Sequence, residues 1–151
     1  MIYENLLKES DSLNLITKEK ELPVNKGRLK GKRIAIRKDL SNIEKGCVLA
    51  EELGHYHTTV GNILDQSSAS NRKQELRAKV WAYNKLIGLT GIISSYEYGC
   101  DSIHDTAEFL DVTEEFLSDA LQYYKSKFGI YTIVDNYIIY FEPSIGVFEL
   151  I

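Results

Sequence analysis

One stretch constrains this chain more than any other: Cys47-Val48-Leu49-Ala50-Glu51-Glu52-Leu53-Gly54-His55-Tyr56-His57. Val48, Leu49, Ala50 and Leu53 are tightly interleaved with charges, which predicts a helix buried on more than one side. On such a helix Glu51 and His55 stand four residues apart on one face, and Glu52 lies beside them, three residues before His55. Charged groups carried into a core need partners or a bound cation, because uncompensated burial is costly. Gly54 sits inside the helix at a cost of roughly 1 kcal/mol relative to Ala. That cost predicts that another segment passes closely over it.

Two carboxylates and an imidazole on one helical turn are the ligand types that hold a divalent metal. In the motif H-E-x-x-H, two imidazoles one turn apart bind the metal, and the Glu between them takes a proton from water. Here the same frame reads Glu51-Glu52-Leu53-Gly54-His55. The general base and the second ligand are present, and the first ligand is a carboxylate. E-E-x-x-H alone is also common on solvated helices, so the apolar setting is what favours a site. His57 offers a substitute nitrogen, although two residues from His55 it faces away on a regular helix. Tyr56 and His57 are therefore accessory candidates.

With 151 residues, 44% of them hydrophobic, the chain can bury a real core as one domain or as two small packed subdomains. No apolar run approaches the roughly 20 residues that span a bilayer, and no signal-peptide pattern opens the chain. A soluble, cytoplasmic protein is expected. Cys47 and Cys100 have neither the number nor the spacing of a disulfide framework or a zinc knuckle. Charge is unevenly spread. Residues 1–87 carry 16 Lys+Arg against 11 Asp+Glu, whereas residues 88–151 carry 2 against 11. Phosphate contacts need Lys and Arg, so the acidic half argues against direct nucleic-acid binding there.

In chain order, Ile2, Tyr3, Leu6 and Leu7 predict an opening helix that extends to Leu15, and Leu22-Pro23-Val24 starts an extended segment. Gly27 and Gly31 punctuate a basic stretch leading into Ile34-Ala35-Ile36, which predicts a hairpin over residues 28–37. Ser41 and Glu44 form a capping box for the motif helix, expected to run to about Thr58. A polar, Ser-rich loop follows from Gly61 to Ser70. A second long helix then ends near Gly88, with Leu76, Val80, Tyr83 and Ile87 as its core stripe and Trp81 beside it. Glu75, one residue before that stripe, can point toward the motif helix as a third metal ligand; it can equally pair with Lys79 on the surface.

After Gly88 the pattern predicts short helices around Ile92–Tyr96 and Ile103–Leu110, then a helix from Thr113 stopped by Gly129. Asp135-Asn136 between two apolar runs signals a hairpin. This is a winged-helix order, and its acidity suits a substrate-docking or dimerising element.

The run Leu49–Tyr56, followed by Asn71-Arg72-Lys73-Gln74-Glu75-Leu76-Arg77-Ala78-Lys79-Val80-Trp81-Ala82-Tyr83, resembles the ImmA/IrrE metallo-endopeptidases. Their signature is H-E-L-G-H with a downstream E-x-x-A-x-x-[FW]-A helix. The resemblance implies a zinc-dependent endopeptidase of a phage or mobile element that cleaves a DNA-binding repressor. Carried across, Glu52 is the general base, and His55 and Glu75 are ligands. The departure is Glu51 where the family has its first His. Two Glu ligands leave zinc a poorer Lewis acid and let harder ions such as manganese compete. A catalytically weakened scaffold that binds and sequesters a repressor therefore stands as the alternative. The expected fold is α+β: a zincin-like helical core with a small antiparallel sheet over residues 1–88, then a helical part ending in a β-hairpin over 89–151, packed on it.

Overall fold

The computed structural model describes residues 1–59 and 68–151; the expected Gly61–Ser70 loop lies largely outside them. The chain divides into two compact units, Met1–Lys85 and Leu86–Ile151. The α+β class is as expected.

The first unit opens with α1 (Ile2–Ser12), β1 (Ile16–Lys20), β2 (Gly27–Lys30) and β3 (Arg33–Arg37), followed by α2 (Asn42–Thr58) and α3 (Ser68–Leu86), whose last residue crosses the boundary. The expected hairpin is β2–β3, antiparallel, with Leu29 opposite Ile34. The sheet as a whole is mixed, because β1 joins β3 in parallel in the order β1-β3-β2. The sequence pattern hides β1. The opening helix stops at Ser12, Asn14 takes a left-handed turn at φ 60°, and Ile16–Lys20 then forms an edge strand whose residues are mostly exposed and charged. Such an edge needs no alternating apolar face.

The start of α2 follows its sequence. Ser41 Oγ accepts from the Glu44 amide at 3.2 Å, and the Glu44 carboxylate reaches back to the Ser41 backbone. Leu49, Ala50 and Leu53 are fully buried, as is Ile36 on β3, and they form the core between helix and sheet. A polar bridge ties three elements together. Tyr3 on α1 donates to Glu19 on β1 at 2.8 Å, and the buried Lys45 ammonium on α2 donates to the same carboxylate at 2.9 Å. Those bonds, Lys45 first, hold the Glu19 carboxyl below its ordinary range.

The inward stripe of α3 differs from the expected one. Ala78, Ala82, Tyr83 and Leu86 are buried, whereas Leu76 is 52% exposed and Val80 is half-buried. Tyr83 turns inward as expected, but beside it the small Ala78 and Ala82 take the most buried positions and Leu76 does not.

In the second unit, α4 (Gly88–Tyr98), α5 (Ile103–Leu110) and α6 (Glu114–Phe128) precede β4 (Tyr131–Val134), β5 (Tyr137–Tyr140) and β6 (Gly146–Glu149). Thr113 caps α6 by accepting from the Phe116 amide at 3.0 Å, and Gly129 ends it at φ 83°. Asp135, at φ 52°, turns the expected hairpin. A third antiparallel strand, β6, extends it in the order β4-β5-β6. Ile139 and Val147 on the sheet's inner face and Leu117 and Ala120 on α6 build this unit's core. No helix among the described residues is long and apolar enough to cross a membrane.

Candidate active site

The site grows from a close approach between α2 and α3. A Cβ on Gly54 would collide with the Ala78 carbonyl, so glycine here lets the backbone of α3 lie directly against α2. Ala78 and Ala82, one turn apart and both fully buried, line the approaching side. The segment that Gly54 anticipates is α3. Next to Gly54, His55 on α2 meets Glu75, one turn before Ala78 on α3, with Nε2 and Oε1 3.2 Å apart. The imidazole is mostly covered and the carboxylate more than half exposed, so the pair opens to solvent from the Glu75 side.

Glu52 lies deeper. It is 8% exposed, and a strand covers it: a Cβ on Gly27 would sit 3.2 Å from Glu52 Cγ and 2.5 Å from Val48 Cγ1. Burial first, then the neighbouring Glu51 and Glu75 carboxylates, push the Glu52 carboxyl up to about 7. Three carboxylates thus share one neighbourhood with one imidazole. A carboxyl poised near neutrality is suited to accept and return a proton at cellular pH.

The fit to a metal ion can be tested on the donors. Two ligands of one tetrahedral ion with bonds of about 2.0–2.1 Å stand roughly 3.3 Å apart. The His55–Glu75 separation matches that spacing, and an imidazole with a carboxylate is a donor pair that divalent ions accept. Glu51 is one turn before His55 on α2 and half-buried. Among the described residues, no group of three His, Cys, Asp or Glu is drawn together around a common point. Two donors are assembled; the third is near in sequence and not gathered with them.

His57 takes another path. Its ring stacks on Trp81 of α3, with centroids 4.8 Å apart and planes 22° from parallel, and Tyr56 meets it edge-on at 5.2 Å. Both accessory candidates thus belong to an aromatic seam that continues the α2–α3 contact. Gly27 and Ala78 were not among the expected site residues. Gly27 is legible in the sequence only as punctuation of a basic stretch, and Ala78 only as the alanine three residues after Glu75.

A helix carrying a buried carboxyl, paired through a glycine with a second helix that brings a carboxylate to its imidazole, forms a candidate active site on an α+β scaffold. The chain belongs to the IrrE N-terminal-like domain family, peptidase M78, whose model matches residues 4–122. That span runs from α1 into α6 and includes Glu51, Glu52, His55 and Glu75. It places the chain in a metallopeptidase family, for which a divalent metal and a protein substrate are implied. Among curated proteins, translation initiation factor 6 from two strains of Methanococcus maripaludis is 29% identical over 115 residues, which is 76% of this chain and 45% of the factor. The same factor from a third strain is 35% identical over 69 residues, 46% of this chain and 30% of the factor. The chain spans under half the length of these relatives. No solved structure gives a significant match.

Proposed function

We propose that the α2–α3 face is the active site of a metal-dependent endopeptidase whose substrate is a protein, a DNA-binding repressor of a phage or mobile element. The observation that carries this reading is the His55–Glu75 pair, 3.2 Å apart beside a buried Glu52 poised near neutrality. His55, Glu75 and Glu51 would hold the ion, zinc or a harder ion such as manganese. When bound, the ion supplies Lewis acidity toward a peptide carbonyl and toward water. Glu52 takes the proton of the attacking water and returns it to the departing amine. Gly54 and Ala78 fix the distance between the helices, so the two ligands stay within reach of one another. His57 and Trp81 brace the same contact from the side.

A second reading has its own support. Glu51 replaces an imidazole, and no three-donor group is assembled among the described residues. Both observations favour a scaffold that binds and sequesters the repressor without cutting it. Elemental analysis of the full chain beside Glu52→Gln separates the two. One equivalent of metal in both proteins, with repressor cleavage lost only in Glu52→Gln, supports the peptidase. Metal-free protein that still binds an intact repressor supports the scaffold.

A further inference from the structure

The β4-β5-β6 sheet has two unlike faces. Paired strands put directly opposite residues on the same side. Tyr131 lies opposite Tyr140, Ile133 opposite Ile138, and Ile138 in turn opposite Phe148. The other face carries Ile139 and Val147, both buried in the unit's own core. The first face is therefore the outer one, and every side chain named on it is apolar or aromatic. Tyr131 is 50% exposed, and Ile133 and Phe148 are 57% exposed. Tyr140 bridges Tyr131 and Phe148 with ring centroids 5.7 Å from each. Leu150, 41% exposed, extends the strip past β6.

The charge of this unit lies elsewhere. Of its acidic residues, Glu97, Asp105, Glu108, Glu114, Glu115 and Asp119 sit on α4, α5 and α6. On the sheet side, Asp135 lies in the turn between β4 and β5, Glu142 is held in an ion pair by Lys125, and Glu149 lies opposite Tyr137 on the inner-facing register. An outer face without charge, in a unit with a net charge of −9, is matched by a surface that is likewise apolar. A basic partner would be drawn to the helices instead. Glu97 of α4 reaches Tyr137, whose register on β5 is the inner-facing one, so this carboxylate approaches the sheet from its other face, and physiological salt screens exposed charges beyond roughly 8 Å. Like-charge repulsion therefore does not bar two copies from meeting on this face.

The area agrees. With aromatic side chains of roughly 150–250 Å², the exposed parts of Tyr131, Ile133, Tyr140, Phe148 and Leu150 come to about 400 Å². An apolar core of that size with the usual polar rim approaches the roughly 800 Å² per partner of a standard interface.

We propose that the outer face of the β4-β5-β6 sheet is a self-association surface, on which a second copy of this chain seats its own outer face across a two-fold axis. Two three-stranded sheets then pack face to face, and each apolar strip covers its twin. The inference does not depend on the peptidase reading, since none of its residues lies in the site.

Sedimentation velocity of the full chain tests it. The expected result is a monomer–dimer equilibrium with a micromolar dissociation constant. Ile133→Lys and, separately, Phe148→Glu should each weaken the dimer at least tenfold, because they bury an unpaired charge at its centre. These side chains point outward, so far-UV circular dichroism should be unchanged. Radical footprinting of Tyr131 and Tyr140 in the unaltered chain is independent of whether a variant folds, and their protection should rise with protein concentration. A monomer at about 100 µM, or a dimer indifferent to both variants, overturns the proposal. Tyr131, Tyr140 and Phe148 could also act as a stacking platform for single-stranded nucleic acid, although so acidic a unit repels phosphate. Tight binding of labelled oligo-uridine that Phe148→Glu abolishes would replace the dimer with that function.

Discussion

The two units handle charge in opposite ways. In Met1–Lys85, Lys45 and Glu52 are both buried, whereas in Leu86–Ile151 the buried polar residue among those described is Ser95. The two buried charges of the first unit are not equivalent. Lys45 meets a carboxylate at 2.9 Å and ties α1, β1 and α2 together, which is a structural use. The charges closest to Glu52 are further carboxylates, which raise its pKa instead of neutralising it. A fold built for stability alone would replace such a group with an apolar one. On the peptidase reading proposed above, that shifted proton affinity is what the general base uses. The second unit carries much of its charge on its helices and exposes apolar side chains on one sheet face.

The contrast is broken most severely at Gly54. Gly54→Ala should destabilise the first unit by about 3 kcal/mol and separate His55 from Glu75, since the clash is with backbone that cannot rotate away. Gly91→Ala in the second unit meets the Leu110 side chain at 3.3 Å, a flexible end that can yield. Its cost should stay within about 0.5 kcal/mol, as gained helix propensity offsets it. Equal effects in chemical denaturation would show that the α2–α3 approach is no tighter than ordinary packing.

Glu52→Gln sharpens the comparison through pH. The folded carboxyl titrates near 7, above its ordinary value of 4.5, so the folded state holds the proton more strongly than the unfolded chain. Wild-type stability contributed by this group is complete below pH 4.5 and is lost as pH rises through 7. In the presence of a chelator, Glu52→Gln should remove that slope and stabilise the protein by up to about 3 kcal/mol above pH 7. Parallel stability–pH curves for the two proteins would contradict the burial argument.

Glu51→His addresses the donor set. Replacing one anionic ligand with an imidazole should raise zinc affinity about tenfold in calorimetric titration, roughly 1.4 kcal/mol. An unchanged affinity would remove Glu51 from the ligands. The smallest effect on stability belongs to the acidic helices. Changing Asp105, Glu108 and Asp111 together to Asn, Gln and Asn should move the melting midpoint little, because surface substitutions of this kind stay within about 0.5 kcal/mol. If these helices attract a basic repressor, the same variant binds it several-fold more weakly, with a flatter salt dependence. Binding as tight and as salt-sensitive as before would leave the acidity a matter of solubility.

What the sequence by itself determined is local. The Ser41–Glu44 capping box, the α2 frame of Glu51, Glu52 and His55, the Thr113 and Gly129 ends of α6 and the Asp135-Asn136 turn all depend on residues within four positions of one another. Gly54 even announced a close neighbour, though not which one. Tertiary structure decided the rest. Strand β1 is recognisable only through its parallel pairing with β3, because an exposed edge carries no apolar alternation of its own. On α3, the close approach over Gly54 is made by the Ala78 backbone, and Leu76 is left outside. Glu52 is shifted because a strand begun at Gly27 lies across it, some 25 residues earlier in the chain. Burial and close approach arise between segments distant in the chain, and no local pattern encodes them.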